Sequence, residues 1–345
     1  MNPLERVPAP LIAWYRAVKR DLPWRHDPTP YRVWVSEIML QQTRVEAAKE
    51  YFLRFLKELP TVQALAACPE DKLLKLWEGL GYYSRARNLQ KTAKEVCEKY
   101  GGEFPEDEKL LKKLPGIGEY TAGAISSIAF FNRTAAVDGN VMRVLSRYLE
   151  DGTEISSPAF RAYLKNTLEE VYPPRGERCS DFTQALMELG ALVCLPTQAK
   201  CEACPLTESC GAYRSGTQDK YPVMPEKKAK KEENLFVFLI QTPAGVCVCK
   251  REKGVLKGMY AFPSAPREKT AEETLSFLGV KGARICKKER RTHIFTHVKW
   301  DMECLLVAAD DAPFEQYPLE ELKANIALPT AFRQCVEILE QEKEE

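Results

Sequence analysis

Four cysteines, Cys194, Cys201, Cys204 and Cys210, fall within 17 residues, with six, two and five positions between them. Thiolates gathered so closely repel one another unless a cation holds them, so the group reads as a metal site. A structural zinc prefers two short knuckles, and only one pair here has the two-residue spacing. The pattern therefore favours cluster iron, with zinc second and unpaired structural cysteines third. The other eight cysteines (Cys68, Cys97, Cys179, Cys247, Cys249, Cys286, Cys304 and Cys335) show no ligand spacing and read as core thiols.

Two carboxylates among the 49 acidic residues stand in unusual company. Glu37 lies in Val33-Trp-Val-Ser-Glu-Ile-Met-Leu-Gln-Gln-Thr43, whose apolar neighbours would strip water from the acid and raise its pKa, as a proton donor needs. Asp138 lies in Ala136-Val-Asp-Gly-Asn-Val141, where capping a helix is the ordinary role and holding a fixed negative charge a compatible one. About a hundred residues separate the two, so only the fold can bring them together.

The elements that must position them fall into two halves. From about Leu4 to Cys210 apolar residues recur at helical spacing, as in Leu73, Leu74, Trp77 and Leu80, and Gly101-Gly102, Pro115-Gly116, Asp151-Gly152 and Pro173-Pro174 break the run at helix-sized intervals. Tyr221 to Glu233 is polar and carries Lys227-Lys228-Ala229-Lys230-Lys231, which fits a solvated linker. Beyond it, Leu235–Gln241 and Val246–Lys250 read as strands of a hairpin around Pro243-Ala244-Gly245. Ile294–Trp300 and Cys304–Ala308 read as further strands, and Ala271–Leu278 and Ala331–Leu339 as helices, giving a small α+β domain. At 345 residues and 45% apolar content the chain can build two such cores, and its net charge of +1 gives no global hint of a nucleic-acid partner. No apolar run is long enough to span a membrane, and the first ten residues hold proline and charge where a secretory leader needs an apolar stretch, so a cytoplasmic, nucleoid-associated protein is expected.

Leu114-Pro-Gly-Ile-Gly118 sits between two helical stretches, where Gly116 and Gly118 let the backbone bend and expose consecutive N–H groups to an anion; a plain helix-capping turn is the alternative. Its continuation, Glu119-Tyr-Thr-Ala-Gly-Ala124, uses small residues that permit close helix contact. Together, the six-two-five cysteine loop and this turn resemble the helix-hairpin-helix DNA glycosylases of the endonuclease III superfamily. The segments around Glu37 and Asp138 narrow the resemblance to the MutY-type adenine glycosylases.

The resemblance implies an all-α helix-hairpin-helix glycosylase domain over residues 1–220 with a [4Fe-4S] cluster loop at 194–210. A linker at 221–233 and a C-terminal MutT-like (Nudix-like) α+β domain over 234–345 would follow. It implies that Glu37 protonates a ring nitrogen of adenine, that Asp138 stabilises the sugar cation, and that Tyr120 and Asn140 help hold the reacting groups. In relatives that also cut the backbone a lysine stands where this chain has Tyr120, so base release alone is expected. The partner would be double-stranded DNA with adenine opposite 8-oxoguanine or guanine, bound by a monomer, with no membrane involved.

An enzyme of this kind must flip the base and fill the gap. Gln42 with Leu40, and Tyr82 with Tyr83, are suited to wedging and stacking, although core packing is the common fate of an aromatic; Ser84, Arg85 and Arg87 suggest an exposed turn near phosphates. By resemblance Gln42 and Tyr82 insert beside the partner base, Trp24 and Arg25 border the adenine pocket, and Gln184 reads the adenine edge. Phe295, Thr296 and His297 match the hairpin that probes 8-oxoguanine, with Thr296 in place of the usual serine. The glutamate-rich magnesium helix of a MutT hydrolase is incomplete in Pro266-Arg-Glu-Lys-Thr-Ala-Glu-Glu-Thr-Leu275, so this domain is expected to read and not to hydrolyse. Two alternatives are an endonuclease III-type enzyme acting on oxidised pyrimidines and a non-catalytic iron-sulfur DNA-binding protein. Tyr120 and the extra domain argue against the first, and the Glu37 and Asp138 segments against the second.

Overall fold

The structure, a computed structural model, describes residues 2–226 and 229–341; Lys227 and Lys228 of the expected linker lie outside them. The chain forms two compact units, Met1–Cys68 with Asn88–Glu226, and Pro69–Arg87 with Lys227–Glu345. The second unit therefore takes a stretch of the helical half that the expected boundary near residue 220 leaves in the first. Backbone partners explain why: Lys75 Nζ donates to the carbonyls of Lys323 (2.7 Å) and Ile326 (3.1 Å), Arg87 Nη2 donates to Gly258 O (3.0 Å), and the Glu78 carboxylate accepts from Leu328 N (2.9 Å). Main-chain partners of this kind leave no trace in residue types.

The helices along the chain are α1 (Pro8–Val18), α2 (Pro30–Leu40), α3 (Val45–Glu58), α4 (Val62–Ala67), α5 (Glu70–Leu76), α6 (Ser84–Tyr100), α7 (Glu108–Leu111), α8 (Glu119–Ala124), α9 (Gly139–Leu149), α10 (Pro158–Val171), α11 (Glu177–Leu192) and α12 (Gly211–Ser215). Thr29 caps α2 and proline opens it, and the helix is buried almost all round, including Trp34, Glu37 and Met39. Asp138 caps α9. Between them, α8 runs on into a wider turn, Ile125–Ala129, and Gly123 of α8 lies so close to a neighbouring stretch of chain that a Cβ would stand 2.4 Å from Ala135 O. The core behind this wall is formed by α1, α9, α10 and α11, with Leu11, Tyr15, Leu145, Leu164, Phe182 and Leu189 packed together. Each such buried side chain contributes roughly 1.5–3 kcal/mol.

The second unit is built on a mixed sheet of strands β1 (Lys231–Thr242), β2 (Gly245–Lys250), β3 (Tyr260–Ala261), β4 (Ser264–Pro266), β5 (Arg284–Ile294), β6 (Val298–Ala308) and β7 (Glu315–Tyr317), in the order β3-β2-β1-β6-β5, with β4 paired to β1 and β7 to β2. β1 and β6 run parallel over eleven pairs, from Lys231 with Val298 to Gln241 with Ala308. Residues 235–240 are buried without alternation because both faces are covered. One face packs Leu239, Trp300 and Met302 against the C-terminal helices α14 (Leu319–Asn325), α15 (Thr330–Arg333) and α16 (Val336–Gln341); the other packs Phe238, Leu305 and Val307 against α13 (Ala271–Phe277).

Three sequence expectations shift here. Ile294–Trp300 is not one strand: the chain turns at Phe295-Thr296-His297 between β5 and β6, with Phe295 N donating to Val298 O (2.7 Å). β5 carries no apolar signal because it is an exposed, basic edge strand, a form that discourages further pairing. The helix expected over Ala331–Leu339 is broken between α15 and α16, where Cys335 folds in against Cys304. The last three residues of the expected linker, Lys231 to Glu233, already belong to β1. Among the described residues no helix is long and apolar enough to cross a membrane.

Candidate active site

A cavity of about 800 Å³ opens in the first unit, and Glu37 and Asp138 both line it. Glu37 reaches it from the last turns of α2 and Asp138 from the head of α9. Tyr120, near the start of α8, donates its hydroxyl to Glu37 Oε2 at 2.5 Å. Glu37 is 7% exposed. Burial pushes its pKa up to about 7, the Tyr120 hydrogen bond pulls against the rise, Asp138 adds to it and Arg25 opposes it. The Tyr120 phenol is held far above its usual value by burial and by the two carboxylates, so it remains a donor.

Asp138 is held in a different manner. Its Oδ1 accepts from Val141 N (2.7 Å) as the helix cap and its Oδ2 accepts from Asn140 Nδ2 (2.9 Å). Asn140 in turn accepts from Arg143 Nη2 (3.0 Å), and Arg143 also donates to the carbonyls of Gly190 and Cys194. A Cβ on Gly190 would meet Asn140 Cβ at 2.7 Å, so the glycine lets α11 lie against the head of α9. One cavity thus presents a carboxyl poised to hold a proton and a carboxylate fixed by two donors.

Five further candidates of this unit line the same space. Trp24, Arg25, Leu40, Gln42 and Gln184 all face the cavity. Trp24 packs edge-on to Phe52 at 5.5 Å, and Gln184 Nε2 donates to Ser180 Oγ (3.1 Å). Gln42 sits in left-handed backbone (φ 58°), a conformation costly for a side-chain-bearing residue and common where strain serves a site. At the other turn, Gly116 adopts φ 73° and its missing Cβ leaves room for Asn88, while Gly118 caps α8 with open space beside it.

Sequence reasoning passed over Glu188, Arg20 and Arg161, which also line the cavity. Glu188 is 1% exposed and binds both Arg20 and Arg25. Burial alone would raise its pKa, yet the two guanidiniums hold it near 2. The helical spacing of Gln184 and Glu188 on α11 was the available signal, since i and i+4 share a face.

Cys194, Cys201, Cys204 and Cys210 gather around one small cavity beside Leu189, Val193 and Leu206. Burial pushes Cys204 up to about 11, with the neighbouring thiols adding to the rise. Arg147 Nη1 lies 3.4 Å from Cys194 Sγ and also holds the carbonyls of Leu195 and Pro196. Among the described residues no three Cys, His, Asp or Glu side chains are grouped to grip a single ion. Four soft ligands around a shared, largely apolar space, with a guanidinium at the sulfur, form a donor set suited to an iron-sulfur cluster.

In the second unit the structure joins two candidates far apart in sequence. Tyr82, 45% exposed and in left-handed backbone (φ 47°), places its hydroxyl 2.6 Å from Thr296 Oγ1. Phe295 packs between His293 (4.6 Å) and Trp300 (4.7 Å), which anchors the hairpin, while Thr296 and His297 are exposed. The neighbours of Tyr82 differ from expectation. Tyr83 is buried, and Arg85 is not at an exposed turn: its Nη2 donates to the carbonyls of Leu80 (2.9 Å) and Gly81 (3.1 Å) and its guanidinium lies over Trp77 and Tyr82. Arg87 pairs with Glu70 (2.8 Å). Arg85 thus shapes the turn that carries Tyr82, while Arg87 ties the start of α6 to Glu70 and Gly258. Glu273, in the segment compared with a magnesium helix, closes a capping box with Thr270.

Comparison with known proteins finds two family matches, the first of which runs through Pro69–Arg87. Residues 35–170 match the family model of HhH-GPD superfamily base excision DNA repair proteins, and residues 236–337 match that of the NUDIX domain. The adenine DNA glycosylase of Mus musculus is 32% identical over 97% of this chain and 78% of its own length, and that of Buchnera aphidicola subsp. Schizaphis graminum is 36% identical over 83% and 82%. Among solved structures, a thermostable thymine-DNA glycosylase superposes with a TM-score of 0.57 at 29% identity, over 62% of this chain and 97% of that one. A trapped endonuclease III–DNA covalent intermediate superposes with a TM-score of 0.51 at 25% identity, over 60% and 93%. Similarity that spans both units, in a chain whose acid and carboxylate meet in one cavity, makes it a member of the adenine DNA glycosylase family, the MutY-type branch of the helix-hairpin-helix superfamily.

Proposed function

We propose that this chain hydrolyses the N-glycosidic bond of an adenine mispaired with 8-oxoguanine or guanine in double-stranded DNA, releasing the base without cutting the strand. The observation that carries the reading is the shared cavity of Glu37 and Asp138, with the Tyr120 hydroxyl on Glu37. Breaking this bond leaves positive charge on the sugar and negative charge on the base, so the reaction needs an acid and an anion. Glu37, which keeps its proton up to about neutral pH, supplies the proton to a ring nitrogen of adenine. Asp138, restrained by Val141 N and Asn140, supplies the negative charge facing the sugar cation.

The wall residues receive the extruded base. Trp24, Arg25 and Gln184 border it, an amide such as Gln184 being able to pair with the adenine edge. Gln42, Leu40 and Tyr82 fill the space it leaves in the duplex. The backbone N–H groups at Gly116 and Gly118 hold a phosphate. The hairpin Phe295-Thr296-His297, with Tyr82 tied to Thr296, examines the purine opposite. Because Glu273 is engaged in a capping box, the C-terminal unit is assigned a reading role and no hydrolysis.

Cys194, Cys201, Cys204 and Cys210 would hold a [4Fe-4S] cluster, which orders its loop when bound and takes no part in base release. The working form is a monomer in the cytoplasm, associated with the nucleoid.

Base release from duplexes containing adenine opposite 8-oxoguanine, adenine opposite guanine, or thymine glycol tests the reading. Adenine should leave both mispairs, with no strand break and no adduct on borohydride treatment. Release of thymine glycol without adenine would overturn it in favour of an oxidised-pyrimidine enzyme, and DNA binding without any release would favour a non-catalytic protein.

A further inference from the structure

Glu188 is the third carboxylate of the cavity, and the chemistry above gives it no task. It is too buried and too strongly paired to donate a proton: Arg20 gives it its backbone N–H (3.0 Å), Nε (2.9 Å) and Nη2 (2.7 Å), and Arg25 gives it Nη1 (3.2 Å) and Nη2 (2.9 Å). Arg25 is fixed further, since its Nη1 also reaches Arg20 O (3.0 Å) and its guanidinium lies 5.4 Å over the Tyr15 ring. The result is a cation held in one orientation in the wall that also holds Glu37. Two arginines against one carboxylate leave a single net positive charge there; without Glu188 there would be two.

We propose that Glu188 is a positioning residue of the base pocket, which locks Arg25 as a rigid wall and screens Glu37 from the combined charge of Arg20 and Arg25. The proposal rests on the adenine glycosylase reading, because it assigns Glu37 the donor role. The cavity that Glu37 lines is shared by Tyr120 from α8, Asp138 from the head of α9, Arg25 and Arg20 from the segment before α2, Glu188 from α11 and Arg161 from α10, and of these Tyr120, Asp138 and Arg25 act on Glu37 directly. Of these, Arg25 already works against protonation of Glu37, and Glu188 is the carboxylate paired with Arg25 at 2.9 Å. Uncompensated positive charge favours the carboxylate form, so without Glu188 the donor would lose its proton at lower pH.

The experiment uses the full chain and follows the single-turnover rate of adenine release against pH, with melting temperature and affinity for a duplex bearing an abasic-site analogue as controls. Glu188→Gln should keep abasic-duplex affinity within a few-fold while the alkaline limb of the profile moves down by about one pH unit, so that the rate at pH 8 falls about ten-fold beyond any loss shared at all pH values. Glu188→Asp should restore part of the rate. Arg25→Gln/Glu188→Gln should return the limb towards its original position, because the offending cation leaves with its partner. A folded Glu188→Gln protein with an unmoved limb overturns the proposal. Should Glu188→Gln fail to fold, Arg25→Gln decides, since its limb should move up and an unmoved limb overturns the proposal equally. If the unaltered protein releases no adenine, the enzyme reading falls; if it releases adenine and the limb does not respond, only the role of Glu188 falls.

Discussion

Replacing Glu37 with glutamine should make the protein inert and, at alkaline pH, more stable. Burial lifts the Glu37 pKa from an ordinary 4.5 to about 7. In the unfolded chain the group ionises from pH 4.5, whereas the folded protein keeps the proton until about 7, so the contribution to stability is whole below 4.5 and is lost as pH rises through 7. That gap corresponds to about 3 kcal/mol at pH 8 and to about 1 kcal/mol at pH 5, at 1.36 kcal/mol per pH unit. Glutamine keeps the shape and still accepts the Tyr120 hydroxyl, but carries no charge to bury. A helical unit of this size gains roughly 2–4 °C per kcal/mol, so Glu37→Gln should melt roughly 6–12 °C higher than the unaltered protein at pH 8 and only a few degrees higher at pH 5. Parallel calorimetry at the two pH values, with base release assayed on the same samples, makes the comparison. An equal gain at both pH values, or a loss at pH 8, would refute the account of Glu37 as a desolvated acid.

Other substitutions probe the rest of the site. Asp138→Asn should lose base release by a large factor while duplex affinity stays near that of the unaltered protein, which a binding titration beside a single-turnover assay resolves. Gly190→Ala puts a methyl group 2.7 Å from Asn140 Cβ and should cost about 1–3 kcal/mol, with a slower chemical step because Asn140 holds Asp138; a melting curve with a rate measurement checks both. Thr296→Ala and Tyr82→Phe each break the 2.6 Å hydroxyl contact and should lower the preference for 8-oxoguanine over guanine by similar factors, and the double variant should do little more than either alone. Cys204→Ala should remove the visible absorbance expected of an iron-sulfur cluster and destabilise the loop that Arg147 secures, as read from spectra and proteolysis.

The residues proposed to do chemistry were legible in the sequence because their local company was unusual. Glu37 among apolar neighbours and Asp138 before a glycine-led helix both announced an environment, and the fold supplied the shared cavity. The ionisation of Glu37 was only half legible, since desolvation could be read from neighbours whereas the Tyr120 hydroxyl on Glu37 is a tertiary contact. Glu188 escaped notice because its meaning lies in two arginines about 165 residues away in the chain. Arg85 was misplaced for a related reason: its charge suggested phosphates, but its Nη2 binds carbonyls of its own turn and its guanidinium lies over the Trp77 ring. In the C-terminal unit, β1 declared itself by an unbroken apolar run, while the basic edge strand β5 carried no hydrophobic pattern to find.

The stretch Pro69–Arg87 leaves the ribosome early, yet the carbonyls and hairpin it binds are made between about 170 and 250 residues later. During synthesis α5 and the Tyr82 turn must wait, with Lys75 and Arg87 lacking the carbonyl acceptors they finally bind. A chain cut at the linker would keep that waiting state permanently. Such a truncation would remove the proposed reader and also untie a stretch of the helical half's own sequence, so loss of activity after C-terminal deletion would not by itself show that the deleted part touches DNA.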